Sequence, residues 1–78
     1  MHQELIDELT SFALEHNLQF HCHFDEDLRL YYFHFQNQDR TWYYGRQISQ
    51  EQLDLFNGPT VYFARDIINT LKRKVQLF

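Results

Sequence analysis

Hydrophobic residues recur at intervals of three and four through the first segment of the chain, "QELIDELTSFALEHN" at residues 3–17. On a helix of 3.6 residues per turn they form one stripe, which contains Leu5, Ile6, Leu9, Phe12, Ala13 and His16. Acidic residues fill the first turns, where the helix dipole favours negative charge, and Asn17 is suited to ending a helix. The pattern predicts an amphipathic helix that opens the domain.

From Leu18 onward the hydrophobic period shortens to two residues, which is typical of strands. In the first run, Phe20, Cys22 and Phe24 occupy one face and His21 and His23 the other. The alternation returns in "LRLYYFHFQ" at residues 28–36 and in "RTWYYGRQI" at residues 40–48, and the polar segments "DED" and "NQD" separate the runs as turns. We expect three antiparallel strands in a meander, with Gly45 as a candidate bulge in the third.

Helical signals resume after the third strand. Ser49 is followed three residues later by Gln52, a capping-box pattern that begins a short helix, and "NGPT" at residues 57–60 ends it. Pro59 suits the first turn of a second main helix, which we expect over residues 60–78. Its apolar stripe consists of Ala64, Ile67, Ile68, Leu71 and Val75, and its final turns carry Lys72, Arg73 and Lys74.

These elements predict an α+β fold in one domain spanning residues 1–78. The order is helix, three-stranded antiparallel meander, short helix and helix, and the simplest packing lays both main helices on one face of the sheet. The side chains predicted to face the helices are Phe20, Cys22, Phe24, Phe33 and Phe35. The other face is predicted to carry His21, His23, Tyr32 and His34, with some of Trp42, Tyr43 and Tyr44, depending on the register of the second turn.

Size and composition bound the class of protein. A chain of 78 residues buries only about three fifths of its unfolded surface, so every large side chain matters. Aromatic residues make up 18% of the chain, which indicates either a ring-packed core or rings left for a partner. The single Cys22 cannot close an internal disulfide, and no export leader or apolar run of roughly 20 residues is present. We expect a cytoplasmic protein without a membrane segment.

Charge is unevenly distributed along the chain. The net charge is −4, yet residues 1–39 contain eight acids and one arginine, whereas residues 40–78 contain three acids and six bases. Two interpretations follow. Either folding mixes the two halves over one surface, or the molecule is bipolar and presents an acidic face to a basic partner.

Few residue patterns point to chemistry. The imidazoles of His21, His23 and His34 share one predicted face and could hold zinc, but no other His or Cys has a spacing that would complete the site. Cys22 lies between two phenylalanines on the predicted core face, where a thiol acts as a small hydrophobe rather than as a nucleophile. No glycine-rich loop or catalytic carboxylate pair is recognisable. We expect no catalysis, no cofactor, no metal and no small-molecule substrate.

In the order of its elements the chain resembles the double-stranded-RNA-binding domain. That resemblance implies a nucleic-acid-binding domain as the alternative function. The chain departs from the family at two places: "PTVY" at residues 59–62 stands where the family has a lysine cluster, and the acids of residues 25–27 stand in the loop that would enter a minor groove. The cations of residues 72–74 lie at the opposite end of the last helix.

The whole chain, which is short, acidic and poor in cysteine, is also similar to small phage and prophage proteins of Gram-positive bacteria, including anti-CRISPR inhibitors. This similarity is one of layout and implies a stoichiometric binder of a host or phage component.

The function predicted from the sequence is a non-catalytic protein-interaction module or homodimer. One sheet face is covered by helices, so the other leaves aromatic side chains near solvent, as partner surfaces do. The candidate contact residues are His21, His23, Tyr32, His34, Trp42, Tyr43 and Tyr44.

Overall fold

The structure is a computed structural model that describes residues 2–75, with the backbone only for Val75. Its elements are α1 (Gln3–Glu15), β1 (Leu18–Asp25), β2 (Leu30–Asn37), β3 (Tyr43–Ser49), α2 (Gln50–Leu55) and α3 (Val61–Val75). The strands form one antiparallel sheet in the order β1-β2-β3. This confirms the predicted α+β fold class; the Val75 side chain and residues 76–78 of the predicted last helix lie outside the described residues.

The core lies between one face of the sheet and the two main helices. Phe33 and Phe35 of the central strand β2 are fully buried beneath apolar side chains of α1 and α3. The buried cluster contains Leu5, Leu9, Phe12, Ala13, Phe33, Phe35, Ile48, Leu53, Ala64, Ile67 and Leu71. Because no buried residue is polar or charged among those described, burial of apolar surface is the main stabilising contribution.

The first helix ends one residue before the last position of its predicted stripe. Glu15 is its last residue, His16 is an exposed C-cap whose ring packs 4.4 Å from that of Phe12, and Asn17 takes a left-handed φ of 56°. Asn17 therefore ends the helix as expected, since asparagine tolerates this conformation. His16, which the stripe placed on the apolar face, is not part of the core.

The sheet runs in unbroken register. Along β1 and β2, Phe20 lies opposite Phe35 and Cys22 opposite Phe33; along β2 and β3, Phe35 lies opposite Tyr44 and His34 opposite Gly45. The predicted bulge at Gly45 is wrong, because the residue pairs directly with His34 and its φ is not positive. What distinguishes Gly45 is its missing side chain, which leaves open space on the sheet, and not its backbone conformation.

Side-chain hydrogen bonds fix both hairpin turns. In the first turn, Asp25 Oδ1 accepts the backbone N–H groups of Asp27 at 2.9 Å and of Leu28 at 3.1 Å, so Asp25 acts in a hairpin turn. In the second, Asn37 Oδ1 accepts from the N–H groups of Thr41 at 2.9 Å and Trp42 at 3.2 Å. The length of the second turn follows from these bonds, and with it the register of β3.

The short helix α2 begins at the predicted capping box. The Ser49 side chain accepts the N–H of Gln52 at 3.0 Å, and the Gln52 side chain accepts the N–H of Ser49 at 3.0 Å. Pro59 lies just before α3, and its carbonyl accepts the N–H of Tyr62 at 3.2 Å in the turn that leads into the helix. Within residues 2–75, no helix combines the length and apolarity that crossing a bilayer requires.

Candidate functional site

The side of the sheet away from the helices, which we call the outer face, carries four rows of side chains across the strands. The rows are Gln19, Gln36 and Tyr43; His21, His34 and Gly45; His23, Tyr32 and Gln47; and, next to the first hairpin turn, Asp25, Leu30 and Ser49. None of these residues belongs to the hydrophobic core, none is a lysine or an arginine, and the single acid, Asp25, lies at the end of β1. The first three rows therefore form a continuous surface of imidazole, phenol and amide groups.

The rings of the outer face contact one another across the strands. His23 and Tyr32 stack with centroids 6.2 Å apart, His34 and Tyr43 stack at 5.5 Å, and His21 and His34 lie 6.4 Å apart. The contacts join all three strands, since they run from β1 through β2 to β3.

Gly45 leaves an opening beside the ring of His34. A Cβ atom built at this position would meet no other atom within 4 Å. The neighbouring Tyr43, the first residue of the edge strand β3, is 70% exposed. The open space at Gly45 and the exposed ring of Tyr43 therefore lie side by side on the outer face.

The structure places the seven predicted contact residues on two different sides. His21, His23, Tyr32, His34 and Tyr43 share the outer face. The other two, Trp42 and Tyr44, lie on the helix side, where both are half-buried against the core.

Tyr44 is held by two basic side chains on the helix side. Its hydroxyl oxygen accepts a hydrogen bond from Arg46 Nη1 at 3.1 Å, and Lys74 Nζ lies 5.7 Å from its ring centroid. Arg46 also donates to Asp66 at 2.6 Å. The hydrogen bond to Tyr44, followed by the one to Asp66, raises the pKa of Arg46, so its charge is permanent.

Cys22 departs from its predicted environment. It lies on the helix side, opposite Phe33, as the alternation predicted, yet it is exposed. The prediction of a buried thiol is wrong because β1 is an edge of the sheet and α1 leaves the middle of this strand uncovered. Partial withdrawal from water next to the neighbouring rings still raises the pKa of the Cys22 thiol, so the thiolate is scarce at neutral pH.

The histidines do not assemble into a ligand set. Within residues 2–75, no group of three His, Cys, Asp or Glu side chains is placed to hold a metal ion. His23 stacks on Tyr32, whereas His21 and His34 lie together in the neighbouring row. The arrangement consists of ring contacts rather than converging nitrogen atoms.

Folding mixes the acidic and basic halves of the chain in the helix layer. A groove between α1 and α3 is lined by Glu8 and Glu15 from the acidic half and by Lys72 from the basic half. The first of the two interpretations of the charge gradient therefore holds for the helices. The cations of α3 lie on the helix side, and the outer face carries none.

A second aromatic surface was missed from the sequence. A groove of about 240 Å³ is lined by Arg46, Phe56, Tyr62, Phe63 and Asp66. Phe56 packs edge-on against Phe63, and the Arg65 guanidinium lies 5.4 Å from the Tyr62 ring centroid. The three-residue spacing of Tyr62 and Arg65 on a helix is the sequence signal that could have revealed part of it.

The fold and the outer face define an α+β domain with an uncovered, aromatic and histidine-rich sheet surface. Comparison with known proteins finds no match to this chain among protein-family models, curated protein sequences or solved structures.

Proposed function

We propose that this domain is a non-catalytic protein-interaction module and that its outer face contacts the partner. The observation that carries the proposal is the group of ring contacts around His34, which stacks with the exposed Tyr43 and lies tilted against His21. Tyrosine offers a large, stiff contact area with a polar end, and interfaces are enriched in aromatic residues and poor in charge at their centre.

A protein partner fits this surface better than a nucleic acid does. Phosphate contacts need lysine or arginine beside the stacking rings, and the outer face has neither. The exposed Lys72 and Arg73 lie on α3, on the helix side of the sheet, and the acids Glu26 and Asp27 occupy the first hairpin turn. Rings and cations on different sides of one sheet do not form a continuous nucleic-acid groove.

The proposal includes a stoichiometric mode of action in the cytoplasm. A binder that acts by occupying its partner needs a surface and no reactive group, in keeping with the small phage proteins that the chain resembles. In the described residues the one thiol, Cys22, has a raised pKa and lies on the opposite side of the sheet from His21 and His23, so neither imidazole can serve as its base.

The decisive variant is Gly45→Lys. The structure has room for the new side chain, and the backbone there suits any residue, so the fold is retained while a flexible charge enters the middle of the outer face. The matched control is Tyr62→Lys, which places the same charge at a 49% exposed tyrosine on the helix side.

Tagged wild-type protein and both variants are used to recover partners from lysate of the source cells, with quantification by mass spectrometry. We expect a protein that binds the wild type and Tyr62→Lys at equal molar ratio and is lost with Gly45→Lys. Equal recovery by all three proteins would overturn the assignment of the outer face. Salt-sensitive binding of duplex RNA that survives Gly45→Lys would replace it with the nucleic-acid alternative.

A further inference from the structure

Strand β1 is an edge of the sheet whose outward backbone groups have no partner. Within residues 2–75, no backbone hydrogen bond outside the β1–β2 ladder involves residues 18–24, and no side chain bonds to their backbone. The strand has eight residues and pairs with β2 along its whole length without a bulge. An edge of this kind is a template for another strand.

Most of β1 lacks the protection that exposed edges usually have. Its single charged residue, Asp25, is the last of the strand and accepts hydrogen bonds within the hairpin turn. Residues 18–24 contain no lysine, arginine, aspartate, glutamate or proline, and three consecutive residues, His21, Cys22 and His23, are exposed. The opposite edge, β3, differs because Arg46 lies in its middle and is bound to α3 through Asp66. The open edge suited to strand addition is therefore β1.

We propose that β1 pairs with β1 of a second copy of this chain, in antiparallel orientation, to form a continuous six-stranded sheet. The strand is complementary to itself. In an antiparallel pair, residues directly opposite each other lie on the same face of the sheet. A two-fold axis normal to the sheet therefore pairs residues that are an even number of positions apart. The residue midway between them lies at the axis and faces its own copy.

The axis passes beside Cys22. In this register Phe20 of one copy faces Phe24 of the second on the helix side, and His21 faces His23 on the outer face. Both phenylalanines are only half-buried in the single chain, and cross-strand aromatic pairs stabilise a sheet. No like charges meet anywhere in the seven paired residues, 19–25, because Asp25 faces Gln19 of the second copy.

The uncovered position of Cys22 fits this register. Its exposure shows that α1 does not extend over the middle of β1, which leaves space for the helix layer of a second copy. It also puts the smallest side chain of the run at the axis, where two copies of the same residue must fit together.

Position 22 provides a test by charge reversal. Cys22→Lys sets two ammonium groups against each other at the axis. Two controls accompany it: Cys22→Ser keeps the pairing, and Leu28→Lys places the same charge at a 63% exposed leucine in the turn. By sedimentation velocity we expect Cys22→Ser and Leu28→Lys to dimerise like the wild type and Cys22→Lys to dissociate at least about tenfold more readily. An equimolar mixture of Cys22→Lys and Cys22→Glu should recover the dimer, which a misfolded variant could not do. A monomeric wild type at high concentration, or a dimer indifferent to Cys22→Lys, would overturn the proposal.

Disulfide cross-linking tests the register. In the Cys22→Ser background, a chain with His21→Cys is mixed with a chain with His23→Cys and oxidised with diamide, which takes up the two electrons and two protons of the paired thiols. The mixed disulfide should form faster than either symmetric one, because opposite residues of an antiparallel pair lie within disulfide reach. Preferential formation of the symmetric 21–21 disulfide would refute the axis at Cys22.

This pairing does not rest on the proposed function of the outer face. Gly45→Lys leaves β1 unchanged, so it should remove partner binding and keep the dimer. Cys22→Lys should dissociate the dimer. The two proposals therefore fail separately.

Discussion

Truncation of Phe35 tests which side of the sheet is the interior. Phe35 is fully buried, its ring stacks on that of Phe20 at 4.6 Å, and Tyr44 lies opposite it on β3. Replacing a buried phenylalanine by alanine costs about 3–5 kcal/mol, because transfer energy is lost and a cavity remains. Replacement by leucine removes only part of the ring and should cost about 1–2 kcal/mol.

The size of the domain determines which variant is measurable. At about 0.05–0.15 kcal/mol per residue, a chain of 78 residues has a free energy of unfolding of roughly 4–12 kcal/mol. Phe35→Ala would remove much of this free energy of unfolding and leave the chain largely unfolded, so Phe35→Leu is the better probe. With a urea m-value of about 1 kcal/mol per M, its unfolding midpoint should fall by roughly 1–2 M.

Urea titrations followed by the fluorescence of the single Trp42, which is half-buried against the core, measure this shift. The matched control is His21→Ala on the outer face, where the side chain is exposed and the change should stay within about 0.5 kcal/mol. If Phe35→Leu destabilised the fold no more than His21→Ala, the assignment of inside and outside would be wrong.

Three further predictions concern single features of the fold. Ser49→Ala removes the capping box of α2 and should cost about 1 kcal/mol in thermal unfolding, whereas Ser11→Ala on the exposed side of α1 should cost nothing; equal effects would contradict the cap. A double-mutant cycle on Arg46 and Asp66 should give a coupling of only about 0.2–1 kcal/mol that salt weakens, because Asp66 is 61% exposed, and a coupling well above this range would mean a drier site. The rate of Cys22 alkylation by iodoacetamide should rise with pH at a higher midpoint in the folded protein than in urea, because folding raises the pKa of the thiol. The stability that this shift contributes is fully present below the unfolded-state pKa and is lost as pH rises through the folded pKa. A midpoint equal to that in urea would contradict the raised pKa.

The sequence predicted the element types because each segment has one clear period. The stripe from Leu5 to Ala13 and the alternation from Phe20 to Phe24 are local signals, and the structure confirms the helix, the strands and the inward direction of Phe33 and Phe35. The capping box was equally local, since Ser49 and Gln52 are three residues apart. These element types and this cap were confirmed, whereas the bulge predicted at Gly45 from the glycine alone was wrong.

The sides taken by Trp42, Tyr43 and Tyr44 could not be predicted because they depend on the length of one turn. A slip of one residue moves a whole strand to the other face. Two hydrogen bonds to Asn37 Oδ1 fix that length and set Tyr43 opposite Gln36. An asparagine at the start of a turn is visible in sequence, but the residues it will bind are not.

The exposure of Cys22 was out of reach for a different reason. Alternation gives the side of the sheet to which a residue belongs, and that side was right. Burial also requires a helix above the residue. The position of α1 over the sheet is set by its packing on α3 and on β1, and not by any sequence pattern near residue 22. Strand order and helix placement are properties of the whole fold.

The two proposed contacts reinforce each other through the geometry of the sheet. In the β1 dimer the row of His21, His34 and Gly45 continues into the row of His23, Tyr32 and Gln47 of the second copy. The two outer faces then form one surface that a partner can engage at two sites, so the second contact benefits from a high effective concentration. Cys22→Lys should therefore weaken capture of a multivalent partner at low protein concentration while leaving each single contact intact, whereas Gly45→Lys should abolish the contact itself. Titration of the partner onto sparsely and densely immobilised protein separates these effects, and equal losses for both variants at every density would show that the edge and the face are one site.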